Sequence, residues 1–206
     1  MIAIIDYGIG NLYSVSKAVE RLGYVAKITS DRDEIMSSQG AILPGVGAFG
    51  DAMAHLRDAH LYDTVIDFAK SGHYLLGICL GMQMLFTSSE EHGHHQGLNL
   101  LPGKVIRFQG NYKVPHMGWN QLEFIQDHPL LQDLTAGHVY FVHSYHVMPE
   151  LSSDLLAVTD YHHAVAAIVA RNHIFGMQFH PEKSGTLGMQ LLSRFLSLCH
   201  TSITES

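Results

Sequence analysis

A cysteine stands between two glycines in Gly77-Ile78-Cys79-Leu80-Gly81, where an apolar run from His73 to Ile78 meets a segment of helical period from Leu80 to Phe86. Gly-x-nucleophile-x-Gly at a strand-to-helix turn is the spacing of a nucleophile elbow, here with sulfur in place of a hydroxyl. The turn is so tight that side chains at Gly77 and Gly81 would strike neighbouring backbone, and the nucleophile itself is held strained. The start of a helix also offers unpaired N–H groups and the positive end of a dipole, which favour thiolate over thiol. A free cysteine is otherwise a small buried hydrophobe, so position alone leaves both uses open.

A thiolate nucleophile needs a base, and the apolar run from Ile174 to Phe179 ends in His180-Pro181-Glu182. Strand ends at one edge of a sheet bring distant residues together, and the rigid Pro181 lets Glu182 turn back onto the second ring nitrogen of His180. Cys79, His180 and Glu182 are therefore a candidate triad of nucleophile, acid/base and orienting carboxylate. The chain holds 16 histidines, so the triplet gains its weight from coinciding with the elbow. Pro44-Gly45-Val46-Gly47-Ala48-Phe49-Gly50 contains Gly-x-Gly-x-x-Gly, the dinucleotide fingerprint. Two features oppose that use: the motif follows a third strand, and the acid expected about 20 residues on, Asp67, falls within helical periodicity. The alternative is that this loop supplies a backbone N–H to an oxyanion beside the N–H of Leu80.

The elements that must position these groups read as α/β. Met1 to Ile5, Tyr24 to Ile28, Ala41 to Leu43 and His73 to Ile78 are apolar strands, separated by helical patterns at Leu12 to Leu22, ended by Gly23, and at Asp51 to Lys70, broken near His60. Such alternation implies a mostly parallel central sheet flanked by helices. From Gly103 the character changes to shorter strands, Val105 to Phe108, Val139 to Val142, Leu155 to Val158, Ala164 to Val169 and Ile174 to Phe179, before a helix at Ser184 to Leu198; these add antiparallel strands in the second half. One domain over 1–206 is expected, since 206 residues with 47% hydrophobic content bury about 70% of their unfolded surface. Twelve basic against 19 acidic side chains, net −7, argue against nucleic acid and anionic membranes as partners. Two cysteines, no signal-like leader and no apolar run of spanning length fit a reducing cytoplasm.

Gly77-Ile78-Cys79-Leu80-Gly81-Met82-Gln83 with His180-Pro181-Glu182 resembles the class I, triad-type glutamine amidotransferases. Asp6-Tyr7-Gly8-Ile9-Gly10-Asn11-Leu12, Pro44-Gly45-Val46-Gly47, Pro115-His116-Met117-Gly118-Trp119-Asn120 and Phe141-Val142-His143-Ser144-Tyr145 narrow the resemblance to glutaminase subunits of imidazole glycerol phosphate synthase, over nearly the whole chain. The resemblance implies that Cys79 attacks the glutamine carboxamide, that His180 protonates departing ammonia and then activates water, and that Glu182 orients it. It implies oxyanion donors at Leu80 and Val46, substrate contacts at Gly47, Gln83, Glu91, Ser144 and Tyr145, and partner contacts at Asn11, Trp119 and Lys183. The implied partner is a (β/α)8-barrel synthase subunit that receives ammonia and makes imidazole glycerol phosphate and aminoimidazole carboxamide ribotide in histidine biosynthesis.

No cofactor or metal is called for, and His92-Gly93-His94-His95 reads as a solvated loop rather than a metal site. Glycines on either side of Val46 would let that peptide rotate, so that the oxyanion donor is supplied only when the partner holds its nucleotide. For Trp119 the alternative to an interface is core packing. Rival readings are another triad glutaminase, such as a pyridoxal-phosphate synthase or purine-pathway subunit or a γ-glutamyl hydrolase, and a non-catalytic module in which Cys79 is inert.

Overall fold

The computed structural model describes residues 1–201, and the statements below concern those residues; the last five positions of the expected 1–206 unit, 202–206, lie outside them. In chain order the elements are β1 Ile2–Ile5, α1 Leu12–Arg21, β2 Ala26–Thr29, α2 Arg32–Met36, β3 Gly40–Gly45, α3 Phe49–Asp58, α4 Tyr62–Lys70, β4 Tyr74–Cys79, α5 Leu80–Met84, β5 Phe86–Ser89 and β6 His95–Gln96. There follow β7 Leu101–Arg107, β8 His116–Phe124, β9 His138–His143, β10 Tyr145–Pro149, β11 Leu155–Asp160, β12 Ala164–Arg171, β13 Ile174–Met177 and α6 Gly185–Thr201.

Nine strands form one sheet in the order β2-β1-β3-β4-β13-β12-β11-β8-β9. The half from β2 through β13 is parallel, and β13, β12, β11, β8 and β9 continue it antiparallel. Alternation along β1 sends Ile2 and Ile4 to one face and Ala3 and Ile5 to the other. The first face packs on Val15 and Val19 of α1 and on Leu191 and Phe195 of α6, the second on Met53 of α3 and Phe68 of α4. A separate four-stranded sheet, β10-β7-β5-β6, closes against the second face through Leu101, Val105 and Val147.

Several boundaries depart from the sequence reading. The helix expected from Leu80 to Phe86 ends at Met84, because Phe86 opens β5 and is buried against the small sheet. The strand expected to run to Phe179 ends at Met177, and Phe179 enters the core against Phe141 instead. β2 covers Ala26–Thr29 where Tyr24 to Ile28 is expected, and as the sheet edge it leaves Lys27 and Ile28 exposed. The break foreseen near His60 is real, with His60 at φ 57 between α3 and α4.

Candidate active site

Parallel pairing places the two catalytic candidates side by side. β13 lies next to β4 with Met177 opposite Ile78, so the chain leaving β13 reaches His180 beside the residue that follows Ile78. Cys79 is the last residue of β4 and the N-cap of α5, at φ 56 and ψ −114. That left-handed value costs an L-residue about 1–3 kcal/mol and persists only when its surroundings enforce it. They do: a Cβ on Gly77 would stand 2.6 Å from Gly81 O, and one on Gly81 would stand 1.9 Å from Leu43 O. The elbow is thus clamped between its own helix and β3.

His180 faces the same cleft as Cys79, close enough for the sulfur to act on its charge, and its Nδ1 bonds Glu182 Oε1 at 2.9 Å. Burial opposes charge on the ring, yet the bonds to Cys79 and then to Glu182, with the attraction of both, push its pKa up to about 9. Both neighbours thus favour the protonated ring. Its loop is locked: Ser184 Oγ donates to His180 O at 2.6 Å, Tyr140 N donates to Ser184 Oγ at 2.9 Å, and His180 N donates to Tyr140 O at 3.3 Å. The Glu182 side chain is 1% exposed, and its Oε2 is buried with no hydrogen-bond partner.

Above the sulfur opens a cleft of about 320 Å³ lined by Val46, Gly47, Cys79, Leu80, Gln83, Glu91, Ser144, Tyr145 and His180, together with Pro115, Val142 and His143. Its size is at the lower end of the range for small-molecule sites. Every substrate and oxyanion candidate from the sequence lines it. A larger cleft of about 790 Å³ between Phe124 and Leu134 contains no member of the elbow. Leu80 is the first residue of α5, where helix geometry leaves the N–H without an intrahelical partner. Glu91 is buried, and its Oε2 accepts from Phe49 N at 2.8 Å, fixing the carboxylate against the start of α3. The dinucleotide alternative fails on Asp67, which sits in α4 and pairs with Arg32 at 2.7 Å instead of ending a strand.

The two glycines around Val46 differ, which corrects the expectation that both confer rotation. Gly45 is in register with Cys79, and a Cβ there would lie 2.7 Å from Gly81 N, so it is small for packing. Gly47, at φ +89 with open space around it, is the one that frees the peptide. The sequence reading also missed Gln178. Fully buried, it donates to Cys79 Sγ at 4.0 Å and accepts from Gln83 Nε2 at 3.1 Å. Its signal was a lone polar residue interrupting an apolar run. Gln83 Nε2 also donates to Tyr145 O at 3.0 Å.

The partner candidates lie on the surface. Trp119 is 57% exposed, which removes the core reading, and sits over Gly185, two positions from the exposed Lys183. Asn11 is half-buried at the start of α1 and makes no capping bond. His92 and His95 line a shallow hollow with Glu91, and no group of three or more metal-ligating side chains is assembled among the described residues. No helix there is long and apolar enough to cross a membrane.

A strained cysteine at the head of a helix, with an imidazole and a carboxylate converging on it from the next strand, is the arrangement of a triad amidotransferase. The chain belongs to the class-I glutamine amidotransferase family, whose model matches residues 3–198. A crystal structure described as a glutamine amidotransferase superposes with a TM-score of 0.78 over 97% of this chain and 100% of its own, at 21% identity, which speaks for the fold. Within the family, the imidazole glycerol phosphate synthase subunit HisH of Geobacillus thermodenitrificans is 52% identical over 204 residues, 96% of each chain, and that of Bacillus subtilis 49% identical over the same shares.

Proposed function

We propose that this chain, acting as a single amidotransferase domain, is the glutaminase subunit of an imidazole glycerol phosphate synthase in histidine biosynthesis. The observation that carries the reading is a cleft shared by Cys79, held at φ 56, and an imidazole whose Nδ1 is anchored on a buried carboxylate. In the reacting pair the Cys79 proton has passed to His180, and the sulfur is the nucleophile. It attacks the glutamine carboxamide carbon, and the oxygen that becomes negative faces the N–H of Leu80 and that of Val46. His180 gives its proton to the departing nitrogen, leaving ammonia and a glutamyl thioester. The ring then takes a proton from water, which cleaves the thioester to glutamate and restores the sulfur. Glu182 holds the tautomer throughout. Gly47, Ser144 and Tyr145 wall the substrate, Gln83 braces that wall, and Glu91 offers its carboxylate to the α-ammonium group.

Water would protonate free ammonia to a non-nucleophilic ion, so delivery must be dry, and the acceptor site lies on a second polypeptide, a (β/α)8-barrel synthase. Asn11, Trp119 and Lys183 are its contacts. Rotation of the Val46–Gly47 peptide, allowed by Gly47, places the Val46 N–H only when the partner is bound and loaded with its nucleotide. Losing one such donor costs on the order of 10²-fold, so glutamine hydrolysis by the chain alone should be slower by at least that factor. The test is co-purification with a barrel synthase and assay of glutamine-supported product formation. Cys79→Ala should abolish that reaction and leave the ammonia-supported one intact; failure to bind a barrel, or unaltered glutamine use by Cys79→Ala, overturns the proposal.

A further inference from the structure

Two histidines that the triad does not use join the exposed strand to the substrate cleft. His116 on β8 and His143 on β9 are direct cross-strand partners, so their side chains share a face. His116 Nδ1 and His143 Nε2 are 2.9 Å apart. At one end, Asn120 Nδ2 lies 3.2 Å from His116 Nε2; that amide is oriented by donating to Asp160 O at 2.7 Å and by accepting from Gln121 N at 2.8 Å. At the other end, His143 Nδ1 lies 2.8 Å from Tyr145 O, the carbonyl that also accepts from Gln83.

These ends leave one assignment. An amide nitrogen only donates and a carbonyl only accepts. His116 Nε2 must therefore be bare, its Nδ1 protonated, His143 Nε2 bare and its Nδ1 protonated. The His116 ring is fixed in plane by stacking on Phe141 at 4.6 Å and on Tyr161 at 4.0 Å. Burial holds both rings uncharged, pushing His116 down to about 4 and His143 down to about 3; the titratable groups facing His143 are His116, His146 and His180, and the Tyr145 carbonyl bond opposes the fall. The other face of β8 turns Met117 and Trp119, each 57% exposed, to the outside.

We propose that His116 and His143 are positioning residues, a one-directional hydrogen-bond relay that ties the partner-facing strand to the Tyr145 carbonyl, and through it to Gln83 and the wall of the glutamine cleft. A displacement of β8 on docking is thereby handed to the segment Ser144–Tyr145 without passing through the triad. The relay rests on the proposed glutaminase reading for its consequence, but its existence is tested separately.

In the full-length 15N-labelled chain at pH 7, two-bond nitrogen–proton correlation should show His116 and His143 each with the proton on Nδ1, the form less common for histidine in water. A proton on Nε2 of either ring, or a doubly protonated ring, overturns the relay even where glutamine hydrolysis is intact. In the assembled complex, His116→Phe keeps a stacking ring and leaves His143 Nε2 without a donor. It should raise KM for glutamine about 10-fold, the loss of one buried hydrogen bond, with kcat within about 2-fold. His116→Asn, whose amide donates from the Nδ1 position, should return KM to within about 3-fold of the parent. Equal KM in parent and His116→Phe, or equal damage in both variants, refutes a positioning role.

Discussion

Replacing Glu182 with glutamine probes how the carboxylate sets the state of His180. In the parent, Oε1 takes the Nδ1 hydrogen bond at 2.9 Å and Oε2 is buried without a partner. The amide has two ways to fit. With its oxygen toward His180, the NH2 group occupies the unpartnered position and buries donors with no acceptor, at about 1–3 kcal/mol. With its NH2 toward His180, it presents a donor to a donor and forces the ring into the wrong tautomer. Either way a charge-assisted bond worth about 1.5–3 kcal/mol is replaced by a neutral one worth about 1. The difference, roughly 1–2 kcal/mol, is about one pKa unit. The alkaline limb of kcat/KM, set by His180 at about 9, should therefore move down by about one unit. Below that limb the rate should fall by about 10-fold if the oxygen faces the ring, and by up to about 10⁴-fold if the wrong tautomer is locked in, the loss known for a triad aspartate-to-asparagine change. The assay is steady-state glutamine hydrolysis by the assembled complex from pH 6.5 to 10, with thermal melts to show that the variant is folded. A folded variant whose profile superimposes on the parent's would refute this role for Glu182.

Gly81→Ala places a methyl 1.9 Å from Leu43 O, so β3 and α5 must separate; a thermal melt should show a loss of several degrees, and Gly47→Ala, in open space at positive φ, a loss of about 1–2 kcal/mol. Acid should destabilise the fold through two buried rings. His143 and His116 have folded pKa values below the ordinary 6.5, so their contribution is complete above pH 6.5 and is lost as pH falls toward about 3 and 4. The unfolding free energy from urea titrations should fall between pH 6.5 and 4.5 at up to roughly 1.4 kcal/mol per pH unit for each ring. His180 has the opposite sign: its raised pKa stabilises fully below 6.5, and that contribution fades as pH rises through about 9.

The chemistry was legible in the sequence wherever it was local. Gly77 to Gly81 encodes its turn in five consecutive residues, and His180-Pro181-Glu182 closes its own hydrogen bond within three. What escaped depends on partners far along the chain. β8 carries Met117 and Trp119 outward and Asn120 and Leu122 inward, an alternation diluted by Gly118 and by polar residues on both faces, so it does not read as a strand until β9 and β11 pair with it. Glu91 is reached from the family resemblance alone, since its burial depends on Phe49 N, 42 residues away, donating to its oxygen. α2 had a local signal, Asp31 accepting from Glu34 N, in a helix too short for apolar periodicity to register. The small sheet was hidden for a related reason, since Phe86 continues the apolar spacing of α5 while its backbone already pairs with Leu101.

The central claim is that Cys79 is the thiol that takes glutamine. Incubating the assembled synthase with a diazo-ketone analogue of glutamine, followed by peptide mapping, tests it directly. One adduct per chain is predicted, on Cys79, prevented by excess glutamine and absent from the buried Cys199. A complex that turns over glutamine while Cys79 stays unlabelled would contradict the account.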